Sequence, residues 1–133
     1  MTDIVLTAAC PGGYRRTGPP LGIACLASIL RRDGFSVKII DPSPLNMPQD
    51  QVAEAIERED PFLTGIYCTT MDRYEAFSLS SEVKSRLPGT LVAMGGPHVT
   101  FLAEATLEHI PSIDVVVRGE GDLAIKELGR SIS

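Results

Sequence analysis

The sequence predicts an α/β fold: a doubly wound, five-stranded parallel sheet in the order 2-1-3-4-5, with helices on both faces. Three observations lead there. Strand-like and helix-like runs alternate along the 133 residues, with no internal repeat and no low-complexity linker, and such alternation makes a parallel sheet with right-handed crossovers. The run Leu91-Val92-Ala93-Met94 is apolar throughout, so both of its faces are covered. Each run ends in small or polar residues before a helix begins. Strand ends that point one way gather the loops 10–18, 41–44, 68–71, 95–98 and 118–122 on one edge, where this architecture binds ligands, near the switch between strands one and three.

The first strand is Ile4-Val5-Leu6 with Ala8 and Ala9. It runs into Cys10-Pro11-Gly12-Gly13-Tyr14-Arg15-Arg16-Thr17-Gly18, long for a βα connection of about 2–6 residues. Pro19-Pro20 opens a helix that is apolar nearly all round from Leu21 to Leu30, which predicts packing on more than one side. Arg31-Arg32 in the last turn and Gly34 beyond it stop that helix. Phe35, Val37, Ile39 and Ile40 give the second strand, closed by Asp41-Pro42-Ser43-Pro44.

Asp50 is the expected cap of a second helix that buries Val52, Ala53 and Ile56 and turns Glu54, Glu57 and Arg58 to water. Phe62 to Cys68 is the third strand, ending in Thr69-Thr70. Asp72 and Glu75 have capping-box spacing for a helix with Ala76, Leu79, Val83 and Leu87 on one stripe, ended by Pro88-Gly89. The fourth strand, Leu91 to Met94, stops at Gly95-Gly96, and a helix from about His98 to His109 follows. Ile113 to Val117 is the fifth strand, and Arg118-Gly119-Glu120-Gly121-Asp122 turns into a last helix with Ala124, Ile125 and Leu128.

Composition bounds the function. The length fits one domain, 1–133, with 44% hydrophobic and 22% charged residues, ordinary for a soluble globular chain. A net charge of −5 argues against nucleic acid, which needs a basic face. No apolar run approaches the roughly 20 residues of a membrane span, and Met1-Thr2-Asp3 leading straight into a strand is not a signal peptide. Three widely spaced cysteines, Cys10, Cys25 and Cys68, form no disulfide framework, so a reducing, cytoplasmic setting is expected. Cys25 and Cys68 read as small core residues.

The loops decide what the edge holds. There is no Gly-x-x-x-x-Gly-Lys-Ser/Thr, hence no phosphate-cradling loop of that type. Gly119 and Gly121 resemble the start of a dinucleotide fingerprint, but Glu120 and Asp122 would repel a pyrophosphate. The loop after strand one lacks the Ser/Thr run a flavin phosphate needs, and strand three does not end in the aspartate of a phospho-acceptor. His98 and His109 have no Cys or His at ligand spacing, and there is no Cys-x-x-Cys. What remains is a wide, glycine-lined edge offering backbone groups and hydroxyls, suited to a large, mostly neutral ligand rich in amides. Each motif also has a local reading: Gly95-Gly96 as a tight turn, Thr69-Thr70 as a helix cap, Gly119 to Gly121 as a helix-start turn.

Three blocks in register go further. Pro19-Pro20-Leu21-Gly22-Ile23-Ala24-Cys25-Leu26-Ala27 with Gly34-Phe35-x-Val37 and Asp41 is the first. Met94-Gly95-Gly96-Pro97-His98 and Asp114-Val115-Val116-Val117-Arg118-Gly119-Glu120-Gly121 are the others. Their order and spacing resemble the N-terminal cobalamin (B12)-binding domain of B12-dependent radical SAM enzymes, the group that includes the anaerobic magnesium-protoporphyrin ester cyclase. The resemblance covers almost the whole chain.

It implies a flavodoxin-like sheet with the corrinoid over the strand carboxyl ends. Gly95 and Gly96 would make room for the nucleotide tail, with Pro97 and His98 at its mouth and Thr69 and Thr70 supplying tail-binding hydroxyls. Gly12, Gly13, Tyr14, Pro20, Leu21 and Gly22 would lie beneath or beside the corrin ring, and Gly119, Glu120 and Gly121 complete the set. The His of Asp-x-His-x-x-Gly, which ligates cobalt in methionine-synthase and mutase types, is absent, the loop reading Cys10-Pro11-Gly12-Gly13-Tyr14. Base-off cobalamin without a protein nitrogen on cobalt is therefore expected. The cluster motif Cys-x-x-x-Cys-x-x-Cys is also absent. The resemblance thus implies the cofactor-carrying part of a longer, methyl-transferring enzyme, with S-adenosylmethionine and the [4Fe-4S] cluster in a radical SAM domain supplied in cis or trans. The alternative is a stand-alone flavodoxin-like binding or interaction module without cobalamin.

Overall fold

The five expected strands form one all-parallel sheet in the computed structural model, which describes residues 2–8, 21–40, 48–67, 73–95, 111–117 and 130–131. Chain order gives β1 (Ile4–Ala8), α1 (Leu21–Arg32), β2 (Val37–Ile40), α2 (Gln49–Glu59), β3 (Leu63–Tyr67), α3 (Arg73–Arg86), β4 (Leu91–Gly95) and β5 (Val115–Val117). The strands lie side by side as β2-β1-β3-β4-β5, the order and the parallel sense that the sequence predicts. The helices expected over 98–109 and after 122 lie outside the described residues, apart from Arg130 and Ser131, which are helical. Arg130 Nε donates to Asp33 Oδ2 at 2.7 Å, tying that turn to the end of α1.

The pleat divides the core into two layers. Ile4, Leu6, Ala8, Val37, Leu63 and Ala93 pack with Ile23, Ala27 and Leu30 of α1 on one face. Val5, Ile40, Ile66, Val92 and Met94 pack with Val52, Ala53 and Ile56 of α2 and Ala76, Leu79 and Val83 of α3 on the other. Covered on both sides, β1 is buried from end to end, with Thr7 its one polar residue.

Two expectations about α1 are corrected. Among the described side chains the helix packs through one stripe, Ile23, Ala27 and Leu30, with Leu26 and Ile29 partly buried beside it, while Ala24, Cys25 and Ser28 are exposed. Cys25 is therefore a surface thiol, not a core residue; Cys68 lies outside the described residues. Small apolar side chains such as Ala24 read as buried in a hydrophobicity pattern but lose little when left in water, since burial free energy scales with apolar area. The stop of α1 is as expected: Gly34 takes φ 97°, its N–H bonds Arg31 O at 3.1 Å, and Phe35 N–H bonds Leu30 O at 3.2 Å, the paired bonds of a Schellman end.

The start of α2 is also corrected. Pro48 is the N-cap and makes no side-chain cap bond, and Asp50 sits inside the first turn. There a carboxylate still favours the positive end of the helix dipole. Asp72, the other expected cap, lies outside the described residues. The stripes of α2 and α3 are as expected, with Leu87 partly buried against the same layer.

Polar staples hold the amino edge of the sheet. Thr64 and Thr90 share a buried hydroxyl bond at 3.0 Å, and Ser80 of α3 bonds Ser112 at 2.7 Å. Asp114 Oδ2 accepts both Val92 N–H at 2.8 Å and Lys84 Nζ at 2.5 Å, and Lys84 also donates to Thr90 O at 2.6 Å. Asp114 opens one of the sequence blocks above, and its observed task is to join β4, β5 and α3. At the outer edge, Lys38 Nζ donates to Glu59 Oε1 at 2.7 Å, and Thr2 Oγ1 donates to the same carboxylate. Among the described residues no helix is long and apolar enough to cross a membrane.

Asp114→Ala removes a charge-assisted acceptor with two donors and should cost about 2 kcal/mol in urea unfolding. Glu54→Ala, which breaks only the exposed pair with Arg58, should cost less than about 0.5 kcal/mol. The Lys38 and Thr2 bonds hold the Glu59 carboxyl below its ordinary value. Because the folded value is the lower one, the stabilisation is present above the unfolded value and is lost as pH falls through the folded one. Glu59→Gln should therefore lose less stability than wild type between about pH 5 and about pH 3, read from denaturation midpoints.

Candidate functional site

Parallel pairing without a slip brings four strand ends into one row. Ala8 of β1 pairs with Tyr67 of β3, Tyr67 with Gly95 of β4, and Gly95 with Val117 of β5. Each is the last residue of its strand. The segments that follow, 9–20, 68–72, from 96 onward and from 118 onward, thus depart from a single line. On the other side of β1, Thr7 pairs with Ile40, the last residue of β2, and the buried Thr7 hydroxyl donates to Ile40 O at 2.7 Å.

No described residue in this row is charged: it reads Ala8, Tyr67, Gly95, Val117. Within β3 the chain is buried from Leu63 to Ile66, and Tyr67 alone emerges, 37% exposed. Tyr74, in the first turn of α3, is the other exposed large apolar side chain among the described residues. The helices α1, α2 and α3 each begin after a strand end, so their amino ends, with partly positive dipoles, face the same edge. A row of small and aromatic residues under helix amino ends suits a large neutral ligand better than a metal ion. Among the described residues there is no cluster of three His, Cys, Asp or Glu side chains to hold a metal.

Of the residues the sequence singles out, Gly95 is the last of β4, and Leu21 and Gly22 are the first two of α1. Gly12, Gly13, Tyr14 and Pro20 precede α1 and lie outside the described residues. Thr69 and Thr70 follow β3, Gly96, Pro97 and His98 follow β4, and Gly119, Glu120 and Gly121 follow β5; all of these also lie outside the described residues. Sequence reasoning does not single out Tyr67, which falls near the end of the strand-like run Phe62 to Cys68. Aligning the five strand ends by their length is the signal that would place it beside Gly95.

The chain has relatives in sequence and in fold. The family model for the B12 binding domain matches residues 12–129. The chain belongs to the B12-binding domain family. It is 44% identical over 117 residues to an uncharacterized methyltransferase, PH0819, of Pyrococcus horikoshii, a match that covers 88% of this chain and 25% of that one. It is 32% identical over 120 residues to the anaerobic magnesium-protoporphyrin IX monomethyl ester cyclase of Rubrivivax gelatinosus, covering 88% of this chain and 22% of that one. In three dimensions it superimposes on the cobalamin-dependent S-adenosylmethionine radical enzyme OxsB, solved with aqua-cobalamin and S-adenosylmethionine bound. That likeness has a TM-score of 0.86 at 18% identity and covers 98% of this chain and 18% of that chain. The B12-binding domain therefore spans about a quarter of the length of the curated relatives it matches, and the flavodoxin-like fold is shared with OxsB.

Proposed function

We propose that this chain binds cobalamin, base-off and without a protein nitrogen on cobalt, as the cofactor-carrying domain of a radical SAM methyltransferase. The observation that carries this reading is the uncharged row Ala8-Tyr67-Gly95-Val117 at the carboxyl edge of a chain that belongs to the B12-binding family. The row fits the group. A corrinoid is broad, largely neutral and edged with amides, so it needs a flat floor and backbone or hydroxyl partners rather than fixed charge.

In this reading Gly95 and Gly96 leave room for the nucleotide tail, because only glycine lets another group lie directly on the main chain. Thr69 and Thr70 offer hydroxyls beside it, Pro97 and His98 stand at its mouth, and Gly119, Glu120 and Gly121 bound the far side. Gly12, Gly13, Tyr14, Pro20, Leu21 and Gly22 support the corrin ring. Bound cobalamin supplies a cobalt centre able to carry a methyl group. The residues of this chain seat and shield it, and the acidic net charge of −5 matches a protein with no nucleic-acid partner. S-adenosylmethionine and the [4Fe-4S] cluster belong to a radical SAM domain, in cis or trans, within a longer cytoplasmic enzyme.

Mixing purified protein with hydroxocobalamin, desalting and recording the visible spectrum tests the reading. Retained colour with a base-off spectrum is expected; a colourless protein fraction overturns it in favour of a stand-alone interaction module. Electron paramagnetic resonance of the Co(II) form should show no nitrogen splitting from the protein, and such splitting would reject the ligation. Gly95→Leu should weaken retention by about tenfold or more, whereas unchanged affinity removes Gly95 from the site.

A further inference from the structure

β5 is three valines, Val115-Val116-Val117, at the end of the strand row, where its neighbour in the sheet is β4. Val115 packs against the α1 layer and Val116 against the layer of α2 and α3. Register is normally fixed because a slip of one residue turns core side chains to the wrong face. That safeguard is weak here, since a slip of one puts valine where valine stood in both layers. Packing within the strand does not choose which valine stands opposite Gly95.

The residue before the run carries the missing information. Asp114 takes both main-chain groups of Val92: its N–H donates to Val92 O at 2.9 Å, and its Oδ2 accepts Val92 N–H at 2.8 Å. Lys84 Nζ stands 2.5 Å from the same oxygen and also donates to Thr90 O at 2.6 Å, which ties the carboxylate to the start of β4. Two residues earlier, Ser112 shares a bond of 2.7 Å with Ser80 of α3. We infer that Asp114 is a positioning residue, whose two-point grip on Val92 sets the register of β5 and so the point at which the chain from 118 onward leaves the sheet. With the grip in place Val117 is level with Gly95. A slip of one residue would move that exit by about 3.3 Å. The consequence for binding rests on the cobalamin reading above, in which Gly119, Glu120 and Gly121 bound the site.

Two measurements on the whole chain test this: backbone nuclear Overhauser contacts between β4 and β5, and absorbance titration with hydroxocobalamin. Wild type should show the contacts Ala93–Val115, Met94–Val116 and Gly95–Val117. Asp114→Val lengthens the run to four valines and removes the carboxylate. It should lose or shift these contacts while those among β1, β3 and β4 persist, and weaken cobalamin about tenfold. Asp114→Asn keeps an oxygen for the Val92 N–H and should retain both the register and most of the affinity, although it loses the charge facing Lys84. Ile56→Val lowers stability from the α2 core and should change neither readout. The inference is overturned if Asp114→Val keeps the wild-type contacts, if Asp114→Asn loses them as fully, or if Ile56→Val weakens cobalamin as much as Asp114→Val does. Lost register with undiminished affinity overturns the positioning role. Wild type that retains no cobalamin defeats the cobalamin reading instead, and the strand contacts still decide whether Asp114 sets the register.

Discussion

The unbroken register of the four strands β1, β3, β4 and β5 is the constraint on which everything else in this chain depends. Ile4, Leu63 and Leu91 stand in one row, Leu6, Gly65, Ala93 and Val115 in the next, and Ala8, Tyr67, Gly95 and Val117 at the edge. Side chains alternate with a period of two, so a slip of one residue would turn a whole strand's core residues to the wrong layer. Two helical layers of different composition make such slips costly. The polar bonds of Thr64, Thr90, Ser80, Ser112, Lys84 and Asp114 gather at the opposite, amino edge.

Glycine has two different tasks in this sheet. At Gly65 a β-carbon would come within 2.7 Å of Leu6 Cδ2, so the missing side chain is space already used by the core. Leu6 crosses from β1 to cover its partner on β3, with which it is in register. Gly95 sits one pleat repeat nearer the edge on the adjacent strand, where the core ends. Gly65 serves packing; the proposed function gives Gly95 the task of access. The difference lies in how far along the strand each falls, since both follow apolar residues in the sequence.

Much of the architecture was legible beforehand because parallel sheets leave a strong mark. Strands buried on both faces are written as short, mostly apolar runs, and helices such as α2 and α3 as stripes, so element order and strand order followed from pattern and handedness. Of the candidate edge, the described residues hold Gly95, which ends β4, and Leu21 and Gly22, which open α1. The errors have a common cause, which is that residue type is scored without its surroundings. Ala24 and Cys25 read as buried because they are apolar, whereas a small side chain on a helix tolerates either environment. Asp50 read as a cap because Pro48, which precedes it, offers no side-chain bond to betray that the helix has already begun.

Local chemistry alone determined which segments become strands and helices and where α1 and α3 stop, because burial periodicity and turn residues act over a few neighbours in the chain. Which side chains meet across that edge was decided only by tertiary structure. Tyr67 and Gly95 are brought side by side by strand pairing over a helical crossover, and Asp114 reaches Lys84 and the Val92 amide across three elements. Contacts of that kind depend on register, and register is fixed by the packing of the whole sheet rather than by any stretch of it.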